Sequence, residues 1–343
     1  KKINVMQKYG IDLAKAKCDV SFLSEKGKEG SKVVSNDFSG IEKFLSGLPE
    51  DALLCAEHTG VYGALLVHLC HLSGVCICLV PGYEIKHRMG LVRGKDDKID
   101  ARRIREYAER FEDKLRPVPP KGEDMDALHD LYTTRCMLVQ QRKRLRTHVV
   151  SKDGKVFRAI AAARAENAVI EALDEQIRSL EQEIMEVIRN SPEMKENFLI
   201  ATSVPGIGTV TACELIIKTE NFKRIDSAKR IAAFAGIAPY PNSTGKSDRG
   251  THVSKLGDKE IKSLLYMCAR NAKKSSKEFL LYYYKKHEIE KKNHFVVLNN
   301  IANKQVKILY ALIRKKQLFD KNYIHQDPRC RDGKEQIEKK QHL

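Results

Sequence analysis

The stretch Gly10-Ile11-Asp12-Leu13-Ala14-Lys15 sets one carboxylate among apolar neighbours. Tyr9 to Ala14 has the make-up of a central strand, and an acid there needs a reason, because a charge taken from water is costly unless paired or liganded. Working outward, Asp19 to Leu23 and Lys32 to Ser35 read as two further strands, with a turn signal at Glu25 to Gly30 between them. Ile41 to Leu48 reads as a helix, Ala52 to Glu57 as a strand, Tyr62 to Leu72 as a helix, and Val75 to Pro81 as a strand entering a loop.

Three strands, helix, strand, helix, strand is the order of an RNase-H-like α/β sheet. The Pro-rich segment Arg116 to Pro120 closes this domain, expected over residues 1–118, since proline cannot continue the preceding helix. A helical connector follows over 119–195. In it Ile170, Leu173, Ile177, Leu180, Ile184 and Val187 alternate spacings of three and four, with Asp174, Glu175, Glu181 and Glu183 between them, as in a coiled-coil seam. A hairpin within the chain and a coil between chains satisfy that seam equally. A mostly α C-terminal domain is expected over 196–320, and a polar, mobile tail over 321–343.

The chain has 343 residues and a formal charge of +17. Residues 241–343 hold 24 Lys/Arg against 11 Asp/Glu, so the basic excess sits in the last third and points to a polyanion partner. Nine cysteines lie without a C-x-x-C pair, as expected of reduced, mostly buried thiols. His68, Cys70, His71, Cys76 and Cys78 come nearest to a metal cluster but read as core packing of a helix and an apolar strand. No apolar run reaches the roughly 18 residues of a membrane span, and the Lys-Lys start is not followed by a signal-peptide core, so a soluble, cytoplasmic protein is expected.

Four acids carry candidate chemistry. Besides Asp12, Glu57 ends an apolar strand in Cys55-Ala56-Glu57-His58-Thr59-Gly60. Asp97 and Asp100 lie in Lys95-Asp96-Asp97-Lys98-Ile99-Asp100-Ala101-Arg102, three residues apart on one face of a helix. Singly, Asp97 and Asp100 would serve a helix N-terminus and Glu57 a strand end. If the strands pair as in an RNase-H fold, all four converge at one sheet edge. Such hard oxygen donors suit two Mg²⁺ ions about 4 Å apart, the arrangement that activates a nucleophile and stabilises a leaving oxygen in phosphodiester chemistry.

In the second half, Ser203-Val204-Pro205-Gly206-Ile207-Gly208 followed by apolar helical spacing has the form of a helix-hairpin-helix. There Gly206 and Gly208 would let backbone N–H groups approach a phosphate. Lys-rich helices are expected over Lys259 to Lys274 and Phe295 to Arg314.

The acid segments, with Glu57-His58-Thr59-Gly60-Val61-Tyr62 read through to Tyr62, resemble the motifs of the DEDD insertion-sequence transposases, the IS-one-ten family, also described as bridge-RNA-guided recombinases. Phe234-Ala235-Gly236-Ile237-Ala238-Pro239 and Ser254-Lys255-Leu256-Gly257 extend the resemblance across residues 8–318. It implies a RuvC-like domain joined by a coiled coil to a small helical transposase domain, and a dimer of dimers around structured guide RNA, donor DNA and target DNA. It also implies Mg²⁺ held by Asp12, Glu57, Asp97 and Asp100, an active site shared between protomers, and a C-terminal serine that attacks the DNA phosphate to give a covalent intermediate.

That serine should lie in the polar loop Pro239-Tyr240-Pro241-Asn242-Ser243-Thr244-Gly245-Lys246-Ser247. A family Ser-Gly step aligns with Thr244 and a Ser-Thr-Gly variant with Ser243; Ser243 is preferred because a primary hydroxyl is the less hindered nucleophile. Lys246, Arg249 and Lys255 are expected near nucleic acid from their closeness to this loop. Asp96 stands where the family usually has threonine, an extra acid beside Asp97. Two other classes stay open: a RuvC-like nuclease that uses water, and a basic nucleic-acid-binding scaffold without catalysis.

Overall fold

The computed structural model describes residues 7–24, 26–58, 60–90, 96–119, 122–152, 159–244, 247–254 and 257–322, with backbone alone at 61, 150–152, 241–244 and 247–252. The chain forms two compact units, Lys1–Pro120 and Lys121–Leu343. Among the described residues no helix is long and apolar enough to cross a membrane.

The first unit is built on five strands: β1 (Gln7–Leu13), β2 (Lys17–Leu23), β3 (Glu29–Ser35), β4 (Ala52–Glu57) and β5 (Cys76–Val80), in the order β3-β2-β1-β4-β5. The first three pair antiparallel through short connections, while β4 and β5 run parallel to β1 after helical crossovers. This mixed sheet fits an RNase-H-like domain. Alternation along β1 sends Tyr9, Ile11 and Leu13 to one face, where they pack with Ile41 and Phe44 of α1 (Phe38–Leu45) and Leu66 and Leu69 of α2 (Ala64–Leu72). On the other face Leu53, Cys55, Cys78 and Val80 pack with Ile85 of α3 (Gly82–Met89) and Ile104 and Tyr107 of α4 (Asp97–Arg110).

The cysteines divide between these faces. Cys70 lies in the α1–α2 core and Cys78 in the α3–α4 core, and burial pushes each thiol up to about 12. The His71 ring is engaged with the Val118 carbonyl at 2.9 Å. This grouping is spent on packing the sheet.

The second unit opens on α5 (Glu123–Lys152) and α6 (Ile160–Asn190), which pack antiparallel along their length. The seam residues Ile177 and Ile184 are buried, and Ile184 shares a core with Leu128 and Tyr132 of α5. Arg135 is paired with Glu181 at 2.6 Å, and Arg142 and Arg146 both with Asp174, which fixes the register of the pair.

Beyond it stand α7 (Pro192–Ser203), α8 (Thr209–Thr219), α9 (Ala228–Phe234), the hairpin β6 (Pro239–Thr244) and β7 (Ser247–Val253), α10 (Lys259–Ser275), α11 (Lys277–Tyr284) and α12 (His294–Lys315). Helix α12 is the spine, with Val297, Ile301, Val306 and Leu309 fully buried. Its polar side chains tie down loop carbonyls: Asn299 donates to Ile237 O at 2.9 Å, Gln305 to Pro205 O at 2.7 Å and Tyr310 to Ile225 O at 2.7 Å.

Three elements differ from the sequence reading. The segment read as a polar loop at 239–247 is half of a two-stranded sheet, because its residues gain a paired partner strand that local composition does not announce. Helix α3 was not expected after Pro81; its N-terminus forms where the chain leaves β5 and Gly82 can sit close to Glu57. The tail expected from position 321 lies, beyond Asn322, outside the described residues.

Candidate active site

Backbone pairing alone brings Asp12, Glu57 and a further acid, Asp19, to one end of the sheet. In β1, Asp12 lies opposite Asp19 of β2, and Ile11 lies opposite Ala56 of β4, so Glu57 is one step beyond that pair, beside Asp12. Asp12 and Gly10 share a face of β1, as do Glu57 and Cys55 of β4, and it is the face covered by α4.

Gly10 explains how α4 reaches this end. A Cβ at position 10 would overlap the Ala101 carbonyl and the Arg105 amide, so the bare Cα lets the helix backbone rest directly on β1. Asp97 lies one helical turn before Ala101, which projects the first turn of α4 toward Asp12. Arg105, 2% exposed, locks the seat from the side, donating to Ser21 at 3.2 Å and pairing with Glu29 at 3.0 Å and Glu109 at 2.6 Å.

Asp96 also has a structural role. Its carboxylate accepts from the Lys98 amide at 3.0 Å and caps α4. Threonine is a cap of the same kind, so the departure from the family pattern preserves the helix start.

The charges of these acids act on one another. Burial first, then the charges of Asp100, Asp97, Glu57 and Asp19, push the Asp12 carboxyl up to about 6. Asp97 is shifted the other way, downward, by the Lys17 ammonium. Lys17 lies 2.8 Å from Asp97 and 2.9 Å from Asp19, bridging the two carboxylates. Among the described residues no three carboxylate, histidine or cysteine side chains stand close enough to share one metal ion. The donor chemistry nevertheless fits a hard divalent cation, because Asp12 feels the charges of four further carboxylates, Asp100, Asp97, Glu57 and Asp19, and the Lys17 ammonium bridges two of them.

Asp19 and Lys17 were missed by the sequence reading. The available signal was the acid itself: Asp19, 4% exposed, interrupts Cys18 and Val20 in β2 just as Asp12 interrupts Ile11 and Leu13 in β1.

The second candidate region is the β6–β7 hairpin. Its feet are pinned where Gly236, at φ +63°, and Gly257 meet so closely that a Cβ on either would press on the other's backbone, and the Asp258 amide donates to Phe234 O at 2.8 Å. Ser243 pairs with Asp248 and Thr244 with Ser247, so both hydroxyl residues flank the distal turn after a bulge at Pro241 to Ser243. Arg249 follows on β7, and Lys246 and Lys255 lie outside the described residues.

The two glycines of the α7–α8 turn differ. Gly206, at φ +87°, is packed against the Cys268 carbonyl and Ala272 of α10, whereas Gly208 heads α8 with open space at its Cα. The α7–turn–α8 geometry therefore rests on contact with α10 at the first glycine.

Comparison with other proteins agrees with both halves. Residues 9–152 match a DEDD transposase family model described as "Transposase", and residues 199–284 match the model "Transposase IS116/IS110/IS902 family". The chain is 26% identical over 326 residues to a pilin gene-inverting protein of Moraxella lacunata, covering 92% of this chain and 98% of that protein. It is 26% identical over 287 residues to the transposase for insertion sequence element IS1328 of Yersinia enterocolitica, covering 76% and 82%. A probable family 20 transposase of Pseudomonas aeruginosa is 25% identical over 261 residues, covering 66% and 74%. With the acid-bearing sheet and the C-terminal unit both matched in order, this chain belongs to the IS110 family of DEDD transposases.

Proposed function

We propose that this DNA transposase cuts and rejoins donor and target DNA with Asp12, Glu57, Asp97 and Asp100 holding two Mg²⁺ ions and Ser243 as the attacking group. The observation that supports the acid half is the position of Asp12 beside Glu57 at the end of β1 and β4, with its carboxyl raised first by burial and then by the charges of Asp100, Asp97 and Glu57. When bound, the metal supplies charge neutralisation for the attacked phosphate and the displaced oxygen. The chain's own residues do the rest: Gly10 and Arg105 hold α4 so that Asp97 and Asp100 face Asp12, and Glu57 stays extended against Gly82.

In the proposed chemistry the Ser243 Oγ forms a bond to phosphorus, the P–O bond to the DNA strand breaks, and the serine proton ends on the released DNA hydroxyl. A DNA hydroxyl then reverses the step and frees the serine. Thr244 is the second candidate for this role. A structured RNA guides the choice of sites, the α5–α6 pair connects the acid domain to the transposase domain of 196–320, and a dimer of dimers shares each active site between protomers.

The test is incubation of the chain with Mg²⁺, candidate RNA and end-labelled DNA, followed by denaturing electrophoresis. A protein–DNA adduct that Ser243→Ala abolishes and Thr244→Ala retains is expected. Cleavage without any adduct would replace this mechanism with attack by water.

A further inference from the structure

We propose that the groove between α10 and the start of α12 is a binding surface for single-stranded nucleic acid, with its backbone on the α10 cations and a base stacked on Phe295. The groove encloses about 760 Å³. Along α10 it presents Lys259 and Lys262 near one end and Arg270, Lys273 and Lys274 near the other, with Tyr266 and Met267 between them, over roughly 22 Å of helix. Among the described residues, no Asp or Glu lines it. That much would suit any polyanion.

The apolar residues narrow the choice. Phe295 is 66% exposed and Met267 49%, and both line the groove together with Tyr266. A duplex keeps its base faces stacked inside and offers such residues base edges, sugar and phosphate, whereas a single strand offers a base face to each ring.

Phe295 is also held ready. Its amide donates to the Asn293 cap at 2.9 Å, and its ring meets the His294 ring edge-on at 5.4 Å. His294 Nδ1 is in turn bonded to the Tyr283 hydroxyl at 2.6 Å, and Lys273 lies 4.0 Å over the Tyr283 ring. Burial first, then the charges of Lys273, His287 and Arg270, shift the His294 imidazole downward, and its ring stands beside Phe295 as an aromatic support. An exposed ring fixed by a cap and a neighbouring ring costs little ordering on binding.

The inference does not depend on which hydroxyl attacks DNA, and its test is run in EDTA so that a failure of the proposed chemistry leaves the result intact. Binding of the full chain to a labelled oligothymidylate and to a duplex of equal length is measured across a salt series. Phe295→Ala should weaken oligothymidylate binding about tenfold, the loss of one stacked base, with duplex binding changed less than twofold and Phe295→Trp restoring affinity. The double variant Lys262→Gln, Arg270→Gln should lower the salt slope by about 1.4. Equal losses on single strand and duplex, or no loss from Phe295→Ala, would overturn the proposal. A changed sedimentation of the nucleic-acid-free Phe295→Ala chain would overturn it as well, assigning the groove to a second copy.

Discussion

Gly10 of β1 lies directly beneath the Ala101 carbonyl of α4, with no room between them for a methyl group. The acid cluster depends on this contact, because α4 carries Asp97 and Asp100 on the turn that precedes it. Gly10→Ala must therefore lift or slide the helix against backbone atoms that cannot rotate away. We expect a loss of about 2–3 kcal/mol in stability, read by chemical denaturation, together with weaker Mn²⁺ binding. An unchanged unfolding midpoint would show that α4 is seated by other means.

The raised Asp12 carboxyl gives a pH signature. Its folded value, about 6, exceeds the ordinary carboxylate value, so its contribution to stability is fully present below pH 4 and lost as pH rises through 6. Asp12→Asn removes the charge that causes the loss. In EDTA at pH 7.5 the variant should be more stable than the parent by about 1–2 kcal/mol, allowing for solvent screening of a half-buried group. The difference should vanish at pH 4. Equal stability at both pH values would mean that neither burial nor the other acids raise the Asp12 carboxyl.

Divalent cation binding should follow the same group in the opposite sense. A proton on Asp12 competes with the cation, so Mn²⁺ affinity measured by calorimetry should fall as pH drops from 7.5 through 6, with proton release on binding near pH 6. Affinity independent of pH over that range would remove Asp12 from the ligand set.

Lys17 provides an internal counter-ion that bridges Asp97 and Asp19. A cation entering at Asp97 has to displace it. Lys17→Met is expected to tighten Mn²⁺ binding about two- to fivefold, the worth of an exposed ion pair, and to lower the metal-free melting temperature at neutral pH. Weaker Mn²⁺ binding in this variant would instead make the ammonium part of the site's support.

Arg105 is buried with three partners on three elements. Arg105→Met leaves Glu29 and Glu109 able to turn to water but loses the clamp between α4 and the β2–β3 edge. A destabilisation of about 3 kcal/mol is expected, with hydrogen exchange accelerated in α4 more than in α1. Uniform acceleration over both helices would indicate that the whole sheet, and not the seat of α4, depends on Arg105.

The order of elements in the first unit with the exception of α3, the acids Asp12 and Glu57 at strand positions, and the i, i+3 pair Asp97 and Asp100 were legible in the chain itself. Strand alternation and helical spacing are local periodicities, and an acid within an apolar strand stands out against them. The α5–α6 seam was legible for the same reason, but its partner was not, since a seam specifies a shape and not the chain that fills it. What only the tertiary structure decided is everything that depends on pairing across distance. Register set Asp19 opposite Asp12, Lys17 bridged Asp19 to Asp97, Gly10 gave its space to α4, Gly206 gave its own to α10, and residues 239–253 became a hairpin with Ser243 and Thr244 at its far end. The Lys17–Asp97, Gly10–α4 and Gly206–α10 contacts join segments remote in sequence, and the hairpin pairings depend on register; all are chosen by the packing of whole faces rather than by any property of the local residues.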